Sequence, residues 1–530
     1  MALSAVDVPQ NYAEAMTSPD AGRWKDAIRD ELRAHIRNHT WDIVTRPPGV
    51  KVIGFKWVFA LKHDEHGNVT RYKARVVALG FLQTFGVDYR ETFASVASLA
   101  TIRVFLAICC QLVYRIKQYD IETAFLNGTL EEEVHMKIPH GIKVGEGKVC
   151  RLRKSLCGLK QAGAVWYKTI GGVFVKTGFR QCLSDQGLCV RDSRHGPVFI
   201  VLYVDDLLVG CADATEADRI EASLSAHFKV KALGDTRFIL GMEVVYNHLE
   251  GRLLLNQSQF IDKMLRNFGQ LEAYPVRNPN VPGQDLHSVT TSKSLRLNQP
   301  YQELIGSLLY VANGTRPDIC ISTSILSQFL ENPSEIHWRA GIRVLKFLKG
   351  TISMGLRFQR TQQPIGTIIG FSDANWGGDS ASRRSTSGVL MKISGGPVIF
   401  KSKKQSSVAL STAEAEYMAL ALATQEIMWL RQLLAEMGFK QLPSTSIFVD
   451  NKAAISIATN QGSVSRAKHI DLRLHFIRDH VARADIALQH VPSLHHVPSD
   501  SQEADFLTKT LPTPQFTKLT KMCGLMGHTS

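Results

Sequence analysis

Two adjacent carboxylates, Asp205 and Asp206, interrupt an otherwise apolar run, VFIVLYVDDLLVG, from Val198 to Gly210. Two acids inside a buried hairpin are costly unless cations compensate them, so this frame predicts positive charge at the turn. A third acid, Asp120, follows the short strand-like run in IKQYDIETAFLNG. Mg²⁺ prefers oxygen ligands and keeps positions open for substrate phosphate, and carboxylates at neighbouring strand ends suit both demands. Two such ions about 3.5–4 Å apart serve nucleotidyl transfer, making a hydroxyl nucleophilic and neutralising a triphosphate. An isolated Asp-Asp is ordinarily a surface turn; the hydrophobic frame sets this one apart.

A second group of acids lies in the C-terminal third. Asp373 follows an apolar run in TIIGFSDANW, Asp450 follows one in TSIFVDN, and Asp505 lies in DSQEADFLTK, where a final helix is predicted to begin. Glu414 and Glu416 fall in the helical pattern from Ser411 to about Met437. Two residues apart is about 200° around a helix axis, so only one of them can face a metal cluster. Hydrolysis of a phosphodiester by two ions requires acids gathered from several elements in this way. His469 and His475 flank Asp471 in KHIDLRLHF, but no Cys/His spacing supports zinc.

These acids need scaffolds. Helical spacing runs from Trp24 to Ile36 and stops at the PPG of Pro47 to Gly49; two β-rich runs, VIGFKWVFALK and RYKARVVALG, then form a hairpin across the polar turn His63 to Asn68. Lys56, Arg71, Lys73 and Arg75 make that hairpin basic and available to phosphates. A helix is predicted from Leu99 to Leu112, a boundary or exposed loop at Pro275 to Gly283, and a mostly helical segment from Tyr301 to about Gly350. KSKK, at Lys401 to Lys404, is expected in a solvated or phosphate-facing loop.

The whole chain sets the bounds. At 530 residues several compact units are expected. Hydrophobic residues at 44% and charged residues at 21% favour a globular chain over disorder, and no long uncharged apolar run predicts a membrane span. A net charge of +14 suits a polyanionic partner. The nine cysteines show no secreted-framework spacing and the N-terminus no signal-peptide pattern, so a cytosolic or nuclear setting is expected.

The ordered motifs carry more than their acids. YDIETAFLNGTLEEEVHM (Tyr119 to Met136), SLCGLKQAGAVWY (Ser155 to Tyr167) and YVDD (Tyr203 to Asp206) resemble the polymerase core of copia-type long-terminal-repeat retrotransposon polyproteins. FSDANWGGD, RRSTSG, STAEAEYMAL, VDNKAAI and VPSDSQEADFLTK resemble the ribonuclease H domain of the same family, in the same order. The resemblance spans about Trp24 to Lys509.

It implies an α/β and α+β multidomain protein: a right-hand polymerase with fingers, palm and thumb, followed by a ribonuclease H-like domain. Expected boundaries are 1–47 for a helical lead-in, 48–225 for fingers and palm, 226–290 for a thumb-like region, 291–365 for a connection, 366–512 for ribonuclease H and 513–530 for a tail. The implied activity is RNA-directed DNA synthesis with degradation of the RNA strand of the hybrid. Asp120 and Asp205 would bind both polymerase metals, with Asp206 the second acid of the hairpin; Asp373, Glu416, Asp450 and Asp505 would hold the other pair. Glu416 is selected over Glu414 by comparison with the general ribonuclease H pattern. Phe125 would lie beneath the incoming sugar, Gln161 would contact the incoming nucleotide, and Lys73 and Arg75 would bind its triphosphate. His495 or His496 would assist proton transfer or product release.

Mg²⁺ is the implied cofactor, with Mn²⁺ a substitute. RNA template, DNA primer, RNA–DNA hybrid and deoxynucleoside triphosphates are the implied partners, and no membrane is expected; dimerisation is left open. Cytoplasmic virus-like particles, and the nucleus, are the implied locations. In the parent polyprotein, capsid, protease and integrase regions precede these two, so this chain alone is not expected to integrate DNA. Family members commonly have Pro-Arg where this chain has Gly163-Ala164. Two rival readings stay open at this point: an impaired or domesticated nucleic-acid-binding protein, and an unrelated two-metal nuclease.

Overall fold

A computed structural model describes residues 8–63, 69–286, 299–459, 468–490 and 501–527. At its centre is a six-stranded antiparallel sheet whose spatial order is Val230–Asp235, Arg115–Ile121, Asp206–Cys211, Val198–Tyr203, Leu188–Arg191 and Arg180–Gln181. Alternate residues serve two cores. Phe199, Val201 and Leu208 face the helix Leu99–Leu112, whereas Ile200, Leu202, Leu207 and Val209 face the helices Ala162–Lys176 and Ala214–Ser225. Burial on both faces explains why this hairpin reads as one continuous apolar run.

Helix Leu99–Leu112 begins where Ser98 accepts the Thr101 N–H at 3.1 Å and ends at Val113 in the left-handed region. It lies close against the sheet because Gly210 has no side chain: a Cβ there would come within 2.5 Å of Cys109 Sγ. Bulk at this position would lift the helix off the strand that starts with Asp206.

Ahead of this sheet stands a four-stranded one, ordered Trp41–Thr45, Lys148–Lys154, Thr129–Met136 and Val52–Ile53. The basic hairpin Phe55–His63/Val69–Ala78 follows. Its inner face packs on helix Ala21–Arg37, where Trp24 meets Phe59 and Tyr72 edge-on at 5.2 and 4.7 Å. Its turn lies largely outside the described residues. From within the expected helical lead-in, strand Trp41–Thr45 pairs with Lys148–Lys154.

The thumb-like boundary also shifts. Val230–Asp235 completes the six-stranded sheet, and the strands that follow build another sheet: Phe238–Ile239, Met242–Asn247, Arg252–Asn256, Gly355–Gln359 and Leu525–Met526. The expected connection and tail each contribute a strand to it. Helices Tyr301–Gly314, Cys320–Leu326 and Glu335–Gly350 pack beside it, joined by a buried ion pair, Arg316–Asp318 at 2.7 Å.

The C-terminal sheet is ordered Gly396–Lys404, Thr386–Ile393, Ile369–Asn375, Thr445–Val449 and Ile486–His490. The first three strands are antiparallel and the last two join in parallel. A parallel neighbour requires a long crossover, here including the helix Thr412–Glu436. This is the mixed α/β architecture expected of a polymerase joined to a ribonuclease H-like domain. KSKK is not a loop: it ends strand Gly396–Lys404, with Lys401 bonded to Glu426 at 2.5 Å and Lys404 paired with Asp379. DSQEADFLTK likewise forms no long helix; a short 3-10 turn, Asp505–Leu507, precedes helix Thr513–Met522, whose start at Pro512 and Pro514 tolerates the missing N–H groups.

Candidate active sites

Antiparallel pairing sets Asp120 directly opposite Asp206, while Asp205 occupies the hairpin turn. That turn forces Val204 to φ 58°, a conformation that β-branched residues rarely adopt. Two bonds hold it: Trp166 Nε1 donates to the Val204 carbonyl at 2.7 Å, and the Ile121 N–H donates to the Asp205 carbonyl at 2.9 Å. Burial, and then the charge of Asp205, raises the pKa of both Asp120 and Asp206. Lys73 acts in the opposite direction on Asp120, as Lys62 does on Asp206. The compensating cations that the sequence demanded therefore come from the basic hairpin and from Lys231, which faces Asp120 on the neighbouring strand.

On that hairpin the exposed face alternates with the packed one, so Lys56, Lys62, Arg71, Lys73 and Arg75 share a side. Lys73 is half-buried, and burial together with Arg75 lowers its pKa. Phe125 lies in a 3-10 turn, Ala124–Asn127, just beyond Asp120; it is half-buried and packs against both the four-stranded-sheet core and the six-stranded-sheet core. Gln161 is held by the protein. Its side chain is buried, its Oε1 accepts from Gln83 at 3.0 Å and its Nε2 donates to the Asp88 carbonyl at 2.9 Å. Both ends of the amide are engaged with protein, so it braces the Gln83–Asp88 loop.

The second centre is tighter. Asp373 on strand Ile369–Asn375, Glu416 on helix Thr412–Glu436 and Asp450 after strand Thr445–Val449 offer ligand atoms all within 4.8 Å of one another. Among the described residues this is the one such acidic or His/Cys group; Asp120, Asp205 and Asp206 do not draw together as closely. Glu414 points elsewhere, accepting the Leu410 N–H at 2.8 Å at the helix start. Burial, reinforced by Asp373 and Asp450, pushes Glu416 up to about 10. Its Oε2 is buried without a hydrogen-bond partner.

Asp505 enters from the 3-10 turn, anchored by Gln502, whose Nε2 donates to the Ser372 carbonyl at 3.0 Å. Burial and then Asp373 push Asp505 up to about 7, against the opposing effect of Lys509. Two further residues join the acids. Thr508 Oγ1 donates to Asp373 Oδ2, and Lys509 Nζ reaches both Asp373 Oδ1 at 3.2 Å and Asp505 Oδ1 at 3.0 Å. Sequence reasoning missed both, and the four-residue spacing of Asp505 and Lys509 was the available signal. His495 and His496 lie outside the described residues.

Hard divalent cations fit this donor set, since it is all carboxylate and one buried oxygen stands unsatisfied. Asp373, Glu416 and Asp450 would hold such an ion at the second centre, and Asp120, Asp205 and Asp206 at the first.

Comparison with known proteins agrees with the motifs. A family model described as reverse transcriptase (RNA-dependent DNA polymerase) matches residues 38–282. The retrovirus-related Pol polyprotein from transposon TNT 1-94 of Nicotiana tabacum is 34% identical over 530 residues, which is 98% of this chain and 39% of that polyprotein. The chain thus spans about two fifths of that relative's length. A transposon Ty5-1 protein of Saccharomyces cerevisiae is 33% identical over 312 residues, covering 58% of this chain and 100% of that protein. A solved foamy viral protease-reverse transcriptase in complex with double-stranded DNA aligns with a TM-score of 0.49 and 12% identity, over 89% of this chain and 70% of its own.

Proposed function

The chain belongs to the copia-type retrotransposon Pol family, in its reverse transcriptase portion, and from this premise we propose that it copies RNA into DNA and cleaves the RNA strand of the resulting hybrid. The observation that carries the proposal is the presence of two separate carboxylate centres in one chain, each built at strand ends: Asp120, Asp205 and Asp206 in one sheet, and Asp373, Glu416 and Asp450 in and beside another. Mg²⁺, or Mn²⁺ in its place, would supply activation of the attacking oxygen and neutralisation of phosphate charge when bound. The chain's own contributions are positional. The hairpin turn aims Asp205 and Asp206 at Asp120, and the cationic face of the neighbouring hairpin receives the triphosphate through Lys73 and Arg75. Phe125, beside Asp120, takes the sugar of the incoming nucleotide. At the second centre, Asp373 is held by Thr508 and Asp505 by the turn that Gln502 anchors. RNA template, DNA primer, hybrid and deoxynucleoside triphosphates are the proposed partners, and cytoplasmic particles the proposed setting.

Two substitutions test this reading. Asp205→Asn abolishes Mg²⁺-dependent primer extension and spares hybrid cleavage; Asp373→Asn does the reverse. Loss of both activities with either change, in folded protein, would falsify two independent centres. Absence of both from the unaltered protein, with hybrid binding retained, would favour the domesticated binding protein.

A further inference from the structure

Asp505 stands apart from its three partners. Asp373, Glu416 and Asp450 close around one point within 4.8 Å, whereas Asp505 reaches Asp373 through an ammonium group, Lys509 Nζ, at 3.0 Å from one acid and 3.2 Å from the other. Asp373 is consequently engaged at both oxygens, Oδ2 by the Thr508 hydroxyl and Oδ1 by Lys509. The two engagements differ in kind. Thr508 is buried, while the Lys509 side chain is 33% exposed beside acids that are 0% and 9% exposed. A lysine ammonium is a compact charge on a flexible stem, so it can neutralise a buried acid pair and still swing into water.

We propose that Lys509 is a resident counter-cation of the second acid centre, holding the Asp373–Asp505 side neutralised until a divalent ion displaces it. The inference rests on reading that centre as a metal site. The centre then has two unequal sides: one where Asp373, Glu416 and Asp450 bring three carboxylates within 4.8 Å, and one bounded by Asp373 and Asp505, where any ion competes directly with a tethered positive charge. Like charges separated by a few ångströms in a poorly screened site oppose one another strongly, so an ion on the Asp505 side and Lys509 in its present place exclude each other. Lys509 is on this view a positioning residue that sets the divalent-ion concentration at which the second side fills, and it leaves the Thr508–Asp373 bond in place when it moves.

The test reads ion binding directly. Mn²⁺ alone is titrated into the full chain carrying Asp120→Asn and Asp205→Asn, which silences the polymerase centre, and bound ion is counted by electron paramagnetic resonance. Lys509→Met should bind its second ion about tenfold more tightly, the change that corresponds to removing about 1.4 kcal/mol of competition. Lys509→Arg, which retains a cation, should reproduce the parent isotherm. Lys509→Gln serves as a second neutral variant, and thermal melting without ion confirms that each is folded. A neutral variant with unchanged stoichiometry and affinity overturns the counter-cation role and assigns Lys509 to bracing the 505–509 turn. If Asp373→Asn in the same background binds Mn²⁺ like its parent, the metal-site reading itself fails, and the inference with it.

Discussion

On the proposed function, Phe125 is the residue that would separate a DNA-making polymerase from an RNA-making one using the same acids. With its ring under the incoming sugar, as proposed, a deoxyribose would fit above it, whereas an added 2'-hydroxyl would collide with the aromatic face. Phe125→Val is expected to raise ribonucleotide use relative to deoxyribonucleotide use by about tenfold, a change of about 1.4 kcal/mol in differential transition-state stabilisation. Single-nucleotide extension kinetics with matched sugars measure it; an unchanged ratio in active enzyme would assign Phe125 to packing between the two cores it touches. The glutamates give a second residue-scale test. Glu416→Gln should eliminate hybrid cleavage, while Glu414→Gln should retain it and cost about 0.5–2 kcal/mol through a weakened helix start. Cleavage assays paired with denaturant melts distinguish the two. Asp120, Asp205, Asp206, Asp373 and Asp450 were legible because each interrupts or ends an apolar run; helical angle allowed only one of Glu414 and Glu416 to face a cluster, and the resemblance to the ribonuclease H pattern selected Glu416. Thr508 and Lys509 were not, since a hydroxyl and a lysine after an acid look like any solvated helix surface. The partners of Gln161 were not legible, because only the fold brings Gln83 and Asp88 to it.

At the scale of elements, the basic hairpin carries function through periodicity. Lys56, Lys62, Arg71, Lys73 and Arg75 share one face because strand side chains alternate, and Trp57, Phe59, Ala74 and Val76 fill the other. Replacing the exposed Arg71 and Arg75 with Gln should weaken hybrid binding and flatten its salt dependence by about 0.9 in slope for each phosphate left without its cation. Filter binding between about 50 and 200 mM salt reads this, and an unaltered slope would remove these arginines from the nucleic-acid path. The hairpin and the helix Leu99–Leu112 were visible in the sequence through long, regular patterns. Trp41–Thr45 and Leu525–Met526 were not, because strands this short carry too little alternation and are defined by partners far along the chain.

At the scale of the whole molecule, one arginine outside both acid centres links three parts of the fold. Arg103, buried on the helix Leu99–Leu112, donates to the carbonyls of Val398 at 2.9 Å, Asn313 at 2.8 Å and Gly314 at 3.0 Å, and lies over the Phe400 ring at 4.4 Å. One side chain thus joins the central sheet's helix to the connecting helices and to the C-terminal sheet. Arg103→Met leaves three carbonyls without their donor, two of these bonds being fully buried, and at about 1–3 kcal/mol for each buried acceptor should lower stability by at least about 2 kcal/mol. Calorimetry is expected to show the main transition splitting in two; a single transition at an unchanged temperature would show that the joint is held by apolar packing alone. The positive net charge pointed to nucleic acid, but nothing in the sequence announced this joint, since an arginine inside an apolar helix acquires its meaning from carbonyls more than 200 residues away.

The sheet that gathers strands from the middle and the far end of the chain has a temporal consequence. Arg252–Asn256, with Leu253, Leu254 and Leu255 in succession, leaves the ribosome roughly 100 residues before its neighbour Gly355–Gln359, and the closing strand Leu525–Met526 follows later still. At about 5–20 residues per second, the nascent chain presents an unpaired apolar edge for on the order of 10 s. An exposed edge of this kind is a template for association with other chains. Crowded polysomes are therefore where this polypeptide is most vulnerable, and a slower translation rate lengthens its exposure before the acids of the C-terminal sheet are made.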